Sequence, residues 1–265
     1  MARNETVAND GDRSSGPTDL EDLGRIVRTA FPRPRIDTVD ALVKAAEIRT
    51  FRPTQIVVAQ GDEIRTGLVL DGHVALRRMT LDGRDVIPRI VTTGQLAPPM
   101  AIVGRASVVE AVALSTCRVA VWQGHAVQML AAADTGLALD LLDHVLLGFE
   151  GIVERLDGLL YQDSTRRIAR VLDEHADIFF SEATVLTRAH LPALVGTSRE
   201  MTGRVLRSLE SAGIVARTGR NRLRLLDPDR LSRVAAARAS ADGRPSEPAR
   251  GRIIAPIARR RESAG

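Results

Sequence analysis

At 265 residues and 44% hydrophobic content, the chain can bury a substantial core in one large or two modest domains. Its apolar runs fall short of the roughly 18 to 20 residues a membrane span needs and its N-terminus lacks an apolar signal stretch, so a cytoplasmic protein with no membrane partner is expected. The single Cys117 excludes an internal disulfide and, by ligand count, an iron–sulfur cluster. The net charge of +4 conceals a division: residues 164–265 hold 20 basic against 11 acidic side chains, and residues 1–163 hold 17 against 22. A basic C-terminal part beside an acidic N-terminal part points to a polyanion-binding module joined to a unit with another task.

The ends, residues 1–18 and 237–265, are polar or Arg- and Pro-rich and poor in core formers, which predicts disordered tails, the second one basic. Between them, "LEDLGRIVRTAF" and "VDALVKAAEIRTF" place apolar residues at helical spacing and predict two short amphipathic helices. From Phe51 to Trp122 the pattern changes to short apolar runs: "QIVVAQ", "TGLVLDG", "HVALRRM", "DVIPRIV", "VVEAVAL" and "CRVAVW". Asp71-Gly72 and Asp82-Gly83 punctuate them as hairpin turns. An antiparallel, jelly-roll-like β-roll over 19–134 is the expectation, giving an α+β chain once the helical blocks are added.

A helix is predicted from Thr135 to Gln162. Leu142, Val145, Phe149, Ile152, Leu156 and Leu159 step by three and four along it, a heptad seam of the kind that pairs with a second helix. Asp143, Glu150, Glu154 and Arg155 run alongside. The seam ends at "YQDSTRR", where Asp163 or Ser164 can cap the next helix and form a hinge.

Residues 163–236 begin with the helix "TRRIARVLDEHADIFF" and continue as "LTRAHLPALVGTSREMTGRVLRSLESAG". Thr187 is expected to cap a short helix, Gly196 to break it, and Ser198 to cap a second helix whose Met201, Val205, Leu206 and Leu209 face inward. After Gly213, "IVART" and "RLRLL" flank Gly219-Arg220-Asn221 as a two-stranded wing. The unit is a winged helix-turn-helix.

In this order of parts the sequence resembles the Crp/Fnr superfamily, that of the cyclic-AMP receptor protein and the fumarate–nitrate regulator. The recognition-helix pattern S-R-E-x-x-x-R stands here as Ser198, Arg199, Glu200 and Arg204. In the β-roll, "FRPTQIVVAQGDE" and "GLVLDGHVALRR" resemble the family's turn and strand pattern, with Thr54 where a Gly is usual. The resemblance implies a homodimeric bacterial transcription regulator that binds a palindromic operator in double-stranded DNA, with RNA polymerase as a further partner.

Arg199, Glu200 and Arg204 carry the chemistry of base readout, since Arg can pair bidentately with guanine and a carboxylate accepts from cytosine N4. The competing reading is a plain i to i+4 surface pair between Glu200 and Arg204. Arg188, Thr197, Ser198, Arg217, Arg220 and Arg222 are the candidate phosphate contacts. Met201 departs from the small hydroxyl residue that relatives often carry.

In the sensor half the resemblance breaks at "TGQLAPPMAIVGRASVVEAVAL". The family's cyclic-nucleotide users hold the ribose with Gly-Glu and the phosphate with an Arg followed by Ser or Thr. Here Pro98-Pro99 stand at the first pair, Ser107-Val108 at the second, and Arg105 is offset by two positions. On the long helix, Ile152 and Val153 replace base-contacting polar residues. Cyclic AMP is therefore not expected, and Leu68, Leu70, Pro98, Pro99, Arg105, Ser107, Ile152 and Val153 are the candidate lining of an altered effector pocket. For haem, the available ligands are His73, His125 and His144, each a lone His that reads as structural. No metal site is expected. There is no glycine-rich phosphate loop, no G-x-S-x-G and no metal-spaced His pair, so no enzyme is expected. The rival from another class is a regulatory module whose winged helix binds a protein partner.

Overall fold

The computed structural model describes residues 12–13, 17–80, 82–182, 184–219 and 221–237. Most of both expected tails, and Arg220, lie outside the described residues. Within the N-terminal tail, Asp12–Arg13 form a short strand, β1, paired with Thr50 and Arg49.

Helices α1 (Pro17–Ala30) and α2 (Ile36–Ala45) match the two amphipathic segments. The second segment stops being helical earlier than its spacing suggests, because Glu47–Phe51 become strand β2 in register with Cys117–Val121. The β-branched and aromatic residues of "EIRTF" suit a pleated surface better than a helix.

The remaining strands of the roll are β3 (Ile56–Val58), β4 (Arg65–Asp71), β5 (Val74–Met79), β6 (Asp85–Val91), β7 (Leu96–Ala97), β8 (Glu110–Ala113) and β9 (Cys117–Gln123). They form two sheets, β1-β2-β9-β4-β7 and β3-β8-β5-β6, with every pairing antiparallel. Gly72 turns β4 into β5 at φ +86°, and an added Cβ would sit 2.6 Å from Thr116 O, so both backbone angle and space demand glycine.

Side-chain alternation sorts the roll into an interior and an exterior. Val69, Val119 and Val121 from one sheet meet Val58, Val74, Val91, Ala111 and Ala113 from the other, so small side chains together with Phe51 fill the interior. Leu68, Leu70, Ala120 and Trp122 point the opposite way and are buried against Leu23, Val27, Phe31 and Leu42 of the N-terminal helices. Trp122 Nε1 donates to Leu42 O at 2.8 Å, which satisfies the indole within that layer.

Helix α3 (Gly124–Ala133) leads into α4 (Thr135–Tyr161), 27 residues and about 40 Å long. Asp134 caps α4 by accepting from Gly136 N, and it also accepts from Arg35 N and Thr38 Oγ1 at 2.8 and 2.6 Å. The cap thus also pins the start of α2. Among the described residues, no helix is long and apolar enough to cross a membrane.

Asp163, one of the two expected caps, starts α5 (Ser164–Glu174), its side chain accepting from Arg166 N at 2.9 Å. There follow α6 (Ala176–Phe180), α7 (Leu191–Val195), α8 (Arg199–Ser211), β10 (Val215–Thr218), β11 (Arg222–Leu225) and α9 (Pro228–Ala236). Their core includes Ile168, Leu172, Phe179, Leu191, Leu206 and Leu223, and it extends to Ala75, Ile87 and Ile90 on the outer face of β5 and β6. The winged helix is docked on the back of the roll.

Candidate nucleic-acid interface

Helices α7 and α8 are joined by Gly196, which adopts φ +69°, a left-handed conformation that stops the first helix. Ser198 Oγ then accepts from Met201 N at 3.1 Å and starts the second. Accepting that bond leaves the Ser198 hydroxyl proton free to donate. Thr187 does not cap α7 through its side chain. Residues 188–190 form a turn first, and His190 Nδ1 reaches back to accept from Thr187 N at 3.0 Å.

The buried face of α8 is Thr202, Val205, Leu206 and Leu209. Met201, expected among them, is only half-buried; Thr202 takes the inward place, with its hydroxyl donating to Ser198 O at 2.9 Å. Arg199, Glu200, Arg204 and Arg207 are exposed on the other face. Arg207 was missed by the motif reading, although its position three residues beyond Arg204 places it on the same helical surface.

Glu200 and Arg204 form the i to i+4 pair, at 3.1 Å, with 82% and 64% of their side-chain surfaces exposed. A pair so open to water contributes only a few tenths of a kcal/mol and can separate at little cost. Arg199 lines a depression of about 330 Å³ with Arg188 and Asn221, and Arg188 N donates to Asn221 O at 3.1 Å. The start of the recognition helix, the approach to α7 and the turn of the wing therefore meet in one place.

The other phosphate candidates are spread more widely. Thr197 N donates to Pro192 O, which fixes the turn between the helices. Arg217 is tied to Glu210 Oε1 at 2.6 Å, and Arg222 donates to Thr184 Oγ1 and Glu182 O. Both are occupied in the free chain. Arg224, on the same outward side of β11 as Arg222, is exposed and is a further basic group that the sequence reading did not select.

On α4, all six seam residues are exposed, from 42% for Leu159 to 60% for Phe149. Three of the four charges expected beside the seam are used within the chain, while Glu150 is exposed. Asp143 pairs with Arg33, Glu154 with Arg170, and Arg155 donates to Ile87 O and Ala193 O at 2.7 and 3.0 Å. Arg155 therefore links β6 of the roll to α7.

The structure does not assemble the expected effector pocket. Strand alternation puts Leu68 and Leu70 in the helix-covered layer, away from the roll interior. Pro98 is buried, with its carbonyl accepting from Thr66 Oγ1 at 2.9 Å, and Pro99 is half-buried at the start of a 3-10 turn. Arg105 is exposed. Ser107 is buried and its hydroxyl donates to Val109 O, two residues on. Ile152 and Val153 lie on the exposed surface of α4. A second crevice lies elsewhere, between β6, α4, α5 and α7, and none of these eight residues lines it.

Of the three histidines considered for haem, His144 is held by Ala30 O at 3.0 Å and stacks edge-on to Phe31, and burial lowers its pKa. His125 is exposed, and His73 lies half-buried at the β4–β5 turn. Cys117 is buried in the roll, where desolvation, with Asp71 adding to it, pushes its thiol up to about 12. No cluster of three or more His, Cys, Asp or Glu side chains suited to a metal occurs among the described residues.

Residues 48–134 match the model of the cyclic nucleotide-binding domain, and residues 166–234 match that of the Crp-like helix-turn-helix domain. The chain is 24% identical over 197 residues to the cAMP-activated global transcriptional regulator Vfr of Pseudomonas aeruginosa, covering 69% of this chain and 91% of Vfr. Its fold is similar to FixK2 from Bradyrhizobium japonicum, with a TM-score of 0.63 at 20% identity over 73% of this chain and 99% of that one. It is also similar to the c-di-GMP responsive global regulator CLP of Xanthomonas campestris, with a TM-score of 0.61 at 21% identity over 72% and 99%.

The chain belongs to the Crp/Fnr family of transcription regulators.

As a Crp/Fnr regulator it carries its DNA-binding activity in the helix-turn-helix domain, and α8 is that domain's second helix. Vfr and CLP are regulators, and the family's α+β architecture is the one described here.

Proposed function

We propose that the chain acts as a homodimer that reads an inverted repeat through the major groove, with Arg199, Glu200 and Arg204 on base edges. The supporting observation is the division of α8: four side chains anchor it in the core, while the three readers are exposed in its first two turns. In helix-turn-helix proteins these N-terminal turns enter the groove, and Arg and Glu suit guanine and cytosine there. Arg188, Thr197, Ser198, Arg217, Arg220 and Arg222 supply the phosphate contacts. Arg217 and Arg222 must first exchange their intramolecular partners for phosphate oxygens, and Arg207 and Arg224 add to the basic surface.

The seam of α4 is the dimer interface, because Leu142, Val145, Phe149, Ile152, Leu156 and Leu159 form one apolar stripe that a single chain leaves half in water. Vfr is cAMP-activated and CLP is c-di-GMP responsive; for this chain we infer a β-roll that takes no cyclic AMP. Supporting this is the phosphate segment, where Pro99 offers no N–H to an anion, the Ser107 hydroxyl donates to Val109 O, and the Ser107 N–H and C=O pair with Asp62 O and Gly61 N of the β3–β4 loop.

Selection of binding sites from a random double-stranded library, followed by a salt series, tests the DNA reading. The expected result is a G- and C-containing inverted repeat with a steep negative log–log slope of affinity against salt. A flat slope with no selected motif would transfer the winged helix to a protein partner. For the sensor, cyclic AMP should leave the melting temperature unchanged; a saturable rise would overturn that part.

A further inference from the structure

The crevice between β6, α4, α5 and α7 has a volume of about 220 Å³ and concentrates guanidinium groups: Arg89, Arg155, Arg167 and Arg170 all line it. Two glutamates line it as well, but both are spent on one arginine. Arg170 pairs with Glu174 at 2.5 Å and with Glu154 at 3.1 Å. Three guanidinium groups are then left without a carboxylate among the described residues.

Each of the three is partly buried without being neutralised. Among the described residues, Arg155 donates only to the carbonyls of Ile87 and Ala193. Arg167 donates from Nη1 to Gln162 O and from Nη2 to Ser164 Oγ, while its buried Nε has no partner. The Arg89 side chain makes no hydrogen bond among the described residues, and its guanidinium lies against Gly148. Burial draws Arg89 and Arg155 below the usual arginine range, and Arg155 is further disfavoured by the neighbouring charge of Arg167.

Buried charges are paired in folded proteins, because an uncompensated ion in a low-dielectric setting costs several kcal/mol. Three such groups facing one empty space amount to a site built for a negative charge. Gln162 Oε1 is the crevice's other buried atom without a partner. A half-turn about the terminal torsion exchanges that oxygen for the amide NH2, turning the residue into a donor.

We propose that this crevice is an anion site for a phosphate or diphosphate group, held by Arg89, Arg155, Arg167 and Gln162. The volume sets the class, since ligand pockets usually range from about 300 to 1,000 Å³. A space smaller than that takes an anionic head and leaves any larger remainder outside. Planar guanidinium forks match the oxygens of phosphate, and several on one anion make the contact specific as well as strong. The site joins β6 of the roll to α5 and α7, so an occupant ties the sensor to the DNA-binding unit. It is separate from the roll interior and does not depend on the DNA reading.

The test is calorimetric titration of the full chain with inorganic phosphate, inorganic pyrophosphate and ADP. Wild type should bind pyrophosphate saturably, with a rise in melting temperature. Arg89→Gln and Arg167→Gln should each weaken binding about tenfold, equivalent to about 1.4 kcal/mol. Arg84→Gln, on the exposed β5–β6 turn, should leave it unchanged. Tighter binding of ADP than of pyrophosphate assigns the site to a nucleotide, and the reverse assigns it to a free anion. Because the Arg89 side chain holds no hydrogen bond among the described residues, its variant is expected to fold; unaltered pyrophosphate affinity in folded Arg89→Gln overturns the proposal. So does the absence of saturable binding of all three anions by wild type.

Discussion

Arg204 Nη2 lies 3.1 Å from Glu200 Oε1, so two of the three residues assigned to base readout neutralise each other in the free chain. The surface-pair reading and the readout reading thus describe the same side chains in two states. The pair is exposed at both ends and contributes only about 0.2 to 0.5 kcal/mol to stability. Glu200→Ala or Arg204→Ala should therefore barely move the melting temperature. Either should cost about 1 to 3 kcal/mol of discrimination at one base pair of the operator, measured by competition with base-substituted duplexes. Loss of stability with selectivity intact would leave the pair purely structural.

Thr54 is the only non-glycine residue with positive φ among the described residues, at +75°. It follows Pro53, and Gln55 N donates to Arg52 O at 3.1 Å. A turn with Pro at its second position and positive φ at its third is the type II turn, whose third position favours Gly. A β-branched side chain there is strained, and Thr54 is exposed, so it gives up little packing in exchange. Thr54→Gly should stabilise the chain by about 1 kcal/mol, a rise of about 2 to 4 °C for a protein of this size. A lower melting temperature would show that the hydroxyl or the stiffer backbone outweighs the strain.

Asp134 illustrates a charge whose value depends on pH. The Thr38 hydroxyl and the Arg35 N–H, with the Gly136 N–H and the Arg35 charge, hold its carboxyl below the usual carboxylate range, while burial opposes them. A depressed folded-state pKa means that the stabilisation is complete above the unfolded value of about 3.9 and is lost as pH falls through the folded value. Asp134→Asn keeps an acceptor for the cap but removes the charge. Its melting temperature should fall below that of wild type at pH 7, and the gap should close as pH is lowered toward 3. A gap independent of pH would mean that shape, and not charge, accounts for the loss.

The parts that could be read from the sequence are those fixed by local physics. Gly72 and Gly196 announce turns because only glycine tolerates their backbone angles, and Asp163 and Ser198 announce helix starts because their oxygens satisfy free N–H groups. Thr135–Tyr161 was legible from its apolar period alone. Strand β2 was hidden because "EIRTF" continues a helical pattern, and its identity is decided by pairing with a strand about 70 residues later. The scatter of the candidate effector residues was hidden for a related reason: a resemblance locates a segment in the chain but not which side of β4 Leu68 and Leu70 face. The arginine-lined crevice had no local signal, since Arg89, Arg155 and Arg167 come together only when α4, α5 and β6 pack.

Phe149 is the most exposed of the six seam residues, at 60%, and it stands near the middle of α4. A heptad stripe this open should be covered by its own copy, since a two-fold axis along the helix sets the same residues against each other. Phe149→Glu would place two carboxylates in that seam, where burial and mutual repulsion both oppose association. Sedimentation should show wild type as a dimer and the variant shifted to monomer. Affinity of the variant for an inverted repeat should fall to that of a single half-site, because the second recognition helix is no longer tethered. The side chain is exposed in the single chain, so folding should survive and circular dichroism should be unchanged. A wild-type monomer at DNA-binding concentrations, or a variant that remains dimeric, would remove the seam from the interface.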